Sequence, residues 1–146
     1  MTRYLGDEWT LPGINDATRA WFTSGRLKVQ RCDDCRTWQH PPDEICGGCQ
    51  GNRLSFAECG EAGRIESFVV VHRAVHPALE DRIPYAVALV SLDDAPGVNA
   101  IGNVLNAAPD ELAIGQRVRA VFEEVSQPEG GEVLRIPQWE LIREAR

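Results

Sequence analysis

Two Cys-x-x-Cys pairs constrain this chain more than any other feature. They are Cys32-Asp33-Asp34-Cys35 and, after ten intervening residues, Cys46-Gly47-Gly48-Cys49. Each pair presents two thiolates from one tight turn, and two such turns complete a tetrahedron of sulfur. Zinc takes that closed shell when its role is structural. Gly47 and Gly48 are expected to supply the positive φ angles and close backbone approach that a knuckle requires. Separated thiols cannot assemble a site in an unordered chain, so metal binding and local folding are expected to be one event.

Other uses of four cysteines fit less well. Two disulfides would suit an oxidising compartment. Residues 1–13, however, lack the cationic start and apolar core of a secretory signal, so a cytoplasmic protein with reduced thiols is expected. A redox Cys-x-x-Cys needs one pair in a βαβ setting, and that pattern is not seen. Iron of the rubredoxin type takes the same ligand set; zinc is the expected ion, with iron left open. His40 lies near the knuckles, but the four cysteines already fill a shell, so it reads as an ordinary packed or surface histidine. A closed four-thiolate site leaves no position for substrate. The metal is therefore expected to staple a loop-rich segment with little core of its own.

Charge argues about partners. The 146 residues carry 15 Lys and Arg against 22 Asp and Glu, a net −7, which disfavours a nucleic-acid ligand because phosphates select a basic face. Arg26, Lys28, Arg31 and Arg36 surround the first knuckle and offset a site that keeps about −2 of charge with a divalent ion. No apolar run approaches the roughly 20 residues that span a bilayer.

Along the chain, residues 1–13 read as an extended arm. Asn15 or Asp16 can cap a short helix that carries Ala17, Ala20 and Trp21 on one face and stops at Gly25. Residues 27–30, 38–40 and 54–58 read as short strands around the knuckles, the second ended by Pro41-Pro42. Beyond Gly60 the pattern turns to longer strands: 64–73, 85–92, 98–105, 117–125 and 132–139, with Gly102 expected at a bulge or bend. Pro109-Asp110-Glu111-Leu112 starts a short helix between the third and fourth of these. Three strands, a helix and two strands is the order of an OB-fold barrel, preferred here to a sandwich. The expected fold is mainly β: 1–26 an arm and helix, 27–58 a rubredoxin-like zinc ribbon, and 59–146 a five-stranded OB-fold barrel.

Taken together, certain residues carry a family resemblance. They are Trp21-Phe22, Cys32-x-x-Cys35, Pro41-Pro42, Cys46-x-x-Cys49, Gly63 leading into Ser67-Phe68-Val69-Val70-Val71-His72-Arg73, Pro84-Tyr85-Ala86-Val87-Ala88-Leu89-Val90, Ile114-Gly115-x-x-Val118, and Phe122. Over nearly its whole length the chain resembles the acyl-CoA-associated OB-fold proteins with an N-terminal zinc ribbon. Such proteins accompany thiolase-like enzymes that make or break carbon–carbon bonds in CoA thioesters, by thiolysis, acyl transfer or retro-aldol cleavage. The resemblance implies a non-catalytic subunit, paired with a thiolase-like enzyme in a hetero-oligomer and helping to form the acyl-CoA channel. The chain departs from it at Cys59, where an aliphatic residue is expected, and in the 74–83 loop.

No residue of this chain is assigned a catalytic role. Cys59 is the one cysteine outside the knuckles, and Glu58 and Glu61 beside it would raise its pKa, so it reads as a small buried hydrophobe. Arg73, with His72 at the mouth of the longest loop, is the candidate contact for a CoA phosphate or a partner carboxylate. Asn99, Asn103 and Asn106 read as local hydrogen-bonders beside turns. Trp9, Trp21, Phe22 and Trp38 crowd a small stapled segment and are expected to form an interface patch. The alternative function is a free-standing OB module binding single-stranded nucleic acid. Aromatics at 7% and the acidic balance rank it second.

Overall fold

The computed structural model describes residues 4–144. Residues 1–3 of the expected arm and 145–146 at the end of the barrel segment lie outside the described residues. The chain builds two antiparallel sheets. Strands β1 (Lys28–Cys32), β2 (Trp38–Gln39) and β3 (Leu54–Glu58) form a ribbon in the order β2-β1-β3. Strands β4 (Ala62–Val71), β5 (Tyr85–Leu92), β6 (Asn99–Asn103), β7 (Arg117–Val125) and β8 (Leu134–Leu141) form a second sheet in the order β6-β5-β4-β7-β8.

That second sheet closes on itself. Val104 bridges Trp139 in parallel, and the Leu105 N–H donates to the Trp139 carbonyl at 2.8 Å, so the two ends of the sheet meet. This is the five-stranded OB-fold barrel. The connection between β6 and β7 is a single 3-10 turn over Pro109–Glu111 where a short helix was expected. Leu112 follows in an extended conformation, and the Glu111 carboxylate accepts the Ala108 N–H at 2.6 Å. No helix among the described residues is long and apolar enough to cross a membrane.

The helix α1 (Arg19–Thr23) is shorter than the run expected from Asn15. The Asn15 carboxamide oxygen accepts the N–H groups of Ala17 and Thr18 at 2.9 and 3.1 Å, so it closes a turn that precedes the helix. Five residues cannot hold a helix unaided; burial of Trp21 does. Trp21, Leu27 and Val29 belong to the same apolar cluster as Ile65, Val90 and Trp139 of the barrel. Helix, ribbon and barrel therefore share one core. Phe22 and Trp38 pack against that cluster as well, so most of the expected interface patch is spent inside this chain.

Gly102 does not make a bulge: β6 pairs with β5 in unbroken register. It lies against Trp139, where a Cβ would meet Nε1 at 2.8 Å and Cδ1 at 2.9 Å. The irregularity falls instead on β4, whose register with β5 slips between Ile65 and Ser67. A single extra residue there bends the strand and increases its twist. Gly102→Ala is predicted to destabilise the fold by about 1–3 kcal/mol through overpacking. At this size that lowers Tm by about 2–4 °C per kcal/mol; an unchanged calorimetric Tm would contradict the packing.

Candidate metal centre

The two knuckles are built alike. The Arg36 N–H donates to the Cys32 carbonyl at 3.0 Å, and the Gln50 N–H to the Cys46 carbonyl at 2.9 Å. Each turn then passes through a left-handed residue: Arg36 at φ 66° and Gln50 at φ 62°. Positive φ thus falls one residue after each pair, not at Gly47 and Gly48. Gly48 is required for close approach, since a Cβ there would meet the Thr37 hydroxyl oxygen at 2.8 Å. A left-handed conformation costs a non-glycine residue roughly 1–2 kcal/mol, so something must hold both turns.

Hydrogen bonds supply part of that hold. Gln30, buried in β1, accepts from Gln39 Nε2 at 2.6 Å and from the Asp43 N–H at 2.9 Å, and donates to the Asp43 carbonyl at 2.8 Å. Gln39 in turn accepts the Gly47 N–H at 2.9 Å. This glutamine pair, opposed in the β1–β2 register, carries the 40–47 loop and with it the second knuckle. Arg53 pairs with Asp34, and the Ser55 hydroxyl donates to Asp33 at 2.5 Å, tying the first knuckle to β3.

The four sulfurs converge. Cys32 and Cys49 lie 3.6 Å apart, Cys35 and Cys46 3.5 Å, and all four ligand atoms fall within 4.8 Å of one another. Metal–sulfur distances of about 2.3 Å in a tetrahedron place sulfurs about 3.8 Å apart, so the cluster fits one zinc-sized ion. Cys32 and Cys46 are buried, while Cys35 and Cys49 are exposed. The two exposed thiols are shifted in opposite directions. Cys35 is pulled down to about 6, first by hydrogen bonding to the Thr37 side chain 3.1 Å away. Cys49 is pushed up to about 11: the Gly51 N–H works downward, and the Cys32 and Cys35 sulfurs more than offset it.

The other residues singled out in the sequence stand apart from this cluster. His40 packs on Trp21 with ring centroids 4.3 Å apart. Cys59 is buried, its N–H bonded to the Leu27 carbonyl at 2.9 Å, and burial first, then Asp94 and Glu58, push its thiol up to about 11. It is the small buried hydrophobe at the ribbon–barrel junction. Arg73 is exposed just past β4, with no ion pair among the described residues. The 74–83 loop holds a 3-10 turn over Pro77–Leu79, with Leu79 buried and His76 edge-on to Trp9. Asn106 is no local bonder: its side chain pairs with both backbone groups of Leu141, 35 residues away.

One polar group was missed altogether. Glu123 is buried on β7; it accepts the Tyr4 N–H at 2.9 Å and Gln138 Nε2 at 3.0 Å, while Gln138 accepts the Asn103 N–H at 2.7 Å. These two side chains tether the arm across the barrel through the Tyr4 and Asn103 backbone N–H groups. The sequence gives little sign of it, since Glu123 lies in a strand that also carries Arg117, Arg119 and Glu124.

Comparison with known proteins follows the same division. Residues 23–55 match the family described as "ChsH2, rubredoxin-like zinc ribbon domain", and 57–123 match "ChsH2, C-terminal OB-fold domain". A "Probable enoyl-CoA hydratase alpha subunit" from Thermomonospora curvata is 37% identical over 110 residues, covering 73% of this chain and 33% of that protein. A "DUF35 domain-containing scaffold protein" from Methanocaldococcus jannaschii is 30% identical over 99 residues, covering 66% of this chain and 67% of that one. A solved chain of the "Ltp2-ChsH2(DUF35) aldolase" superposes with a TM-score of 0.71 at 32% identity, covering 90% of this chain and 98% of that chain. The chain spans about a third of the length of the hydratase subunit it matches.

His40 supplies a pH test. Burial lowers its pKa from 6.5, so the imidazole is neutral in the fold. As pH falls below 6.5 the unfolded chain takes up a proton first, and the stability held by the Trp21–His40 contact is lost on the acid side. NMR titration should show His40 protonating below 6.5; a value at or above 6.5 would contradict the burial.

Proposed function

Because the chain belongs to the ChsH2 (DUF35) family of zinc-ribbon and OB-fold proteins, we propose that it is a non-catalytic accessory subunit of a thiolase-like complex acting on acyl-CoA thioesters. Cys32, Cys35, Cys46 and Cys49 hold a structural zinc, and the barrel is presented to the larger enzyme, where the two surfaces together form the acyl-CoA channel. The observation that carries this reading is the likeness to a whole chain of an aldolase complex, in which 98% of that chain is matched. Relatives named as CoA hydratase alpha subunits support an acyl-CoA substrate for the complex. On this reading the thioester is the common element, and the partner's active site decides between hydration and carbon–carbon cleavage.

The residues support the division of labour. A four-thiolate shell is closed to substrate. Cys59, buried and held near 11, does not furnish a thiolate at neutral pH. Arg73, exposed beside the loop, is the proposed contact for a CoA phosphate or a partner carboxylate. Of the barrel aromatics, Tyr85 is buried and Phe68 and Phe122 are half-buried against the core, which leaves little face for stacking nucleobases.

Co-expression with thiolase-like proteins of the same genome tests the reading. One of them should co-purify and gain solubility or activity. If none does either, the accessory role fails.

A further inference from the structure

A sheet edge is left open on the barrel. β4 pairs with β5 from Gly63 to Val71 but with β7 only over Ala62, Gly63 and Arg64. Ile65 makes the last bonds on the β7 side, through Gln116 and Gly115. After the bulge between Ile65 and Ser67, no backbone partner on that side is found for residues 66–71 among the described residues. Backbone N–H and C=O groups there that face away from β5 present the pattern that an incoming strand satisfies.

Exposed edges are ordinarily blunted by lysine, proline or inward charge. This one is Ser67-Phe68-Val69-Val70-Val71, which carries none of these. Its outer face is apolar. In the β4–β5–β6 register Val69 lies beside Val87, and Leu89 beside Ile101; Val69 is 60% exposed and Ile101 65%. At the end of β4 a 450 Å³ cleft is lined by Val70, His72, Pro84, Ala108, Pro109 and Asp110. Glu66 and Arg73, both exposed, bracket the uncharged run with opposite charges.

We propose that the open edge of β4, residues 66–71, is the docking site for an extended strand contributed by the partner enzyme. The strand pairs its backbone with β4 and lays alternate apolar side chains along the exposed valine face. With Glu66 at one end and Arg73 just past the other, the strand is expected to carry a basic residue near the first and an acidic residue near the second. Every unpaired group on the edge would then be satisfied, and the barrel sheet would continue into the partner. The inference rests on the accessory role proposed above and adds the element through which it is exercised. A second copy of this chain is the other occupant that such an edge admits, and the test separates the two.

The experiment is hydrogen exchange, read by mass spectrometry on peptides covering 66–71, in the free protein and in the complex with the co-purified enzyme. It is paired with the affinity of Val69→Lys, a change at an exposed position that leaves the core intact. Protection of 66–71 in the complex is expected, together with weakening by Val69→Lys of about tenfold or more. Binding with no change in exchange at 66–71, or with full affinity in the variant, overturns the inference and leaves the accessory role standing. Failure of any thiolase-like protein to bind overturns both. Dimerisation of the isolated protein with the same protection overturns the partner strand as occupant.

Discussion

Convergence of four cysteine sulfurs within 4.8 Å is the constraint on which the front of this structure depends. Both knuckles pass through left-handed residues, Arg36 and Gln50, that a free chain would avoid. The ribbon is three short strands, one of only two residues, with little apolar area to offset the entropy of ordering them. An ion bound by four thiolates would supply what packing cannot. Gln30 and Gln39 then position the loop between the knuckles, and Asp33 and Asp34 fasten the first knuckle to β3.

The ordered ribbon completes the barrel's core as well as its own. Leu27 and Val29 are fully buried in a cluster that also holds Trp21 and the barrel's Trp139. The Cys59 N–H bonded to the Leu27 carbonyl closes the seam between the two sheets. On the proposed reading, an ion bound by the ribbon would act at a distance on the barrel: it would fix β1, β1 the seam, and the seam the N-terminal helix. The far half of β4 and the long loop beyond it lie outside that seam, and the strand docking proposed above uses the first of them.

Local chemistry was legible in the sequence; long-range contacts were not. Cys-x-x-Cys spacing, β-rich runs and the position of Pro109 are read within a few residues, and they gave the ribbon, the strand order and the barrel. Glycine's tolerance of positive φ points to Gly47 and Gly48, but the turn geometry puts it at Arg36 and Gln50. Gly102 looked like a bend because glycine weakens a strand; what demands it is Trp139, 37 positions along the chain and visible only once the barrel closes. The bulge in β4 leaves no compositional mark, and it separates the paired half of that strand from the open one. The Glu123–Gln138–Asn103 network unites three strands and the arm, so no window of sequence contains it. Trp21, Phe22 and Trp38 read as an interface patch, but the surface they pack against is this chain's own core.

X-ray absorption at the zinc edge, on protein purified under reducing conditions, addresses the metal-held ribbon most directly. One zinc per chain in an all-sulfur shell at about 2.3 Å is the predicted result. Less than half an equivalent of metal, or a shell containing nitrogen or oxygen ligands, would contradict it.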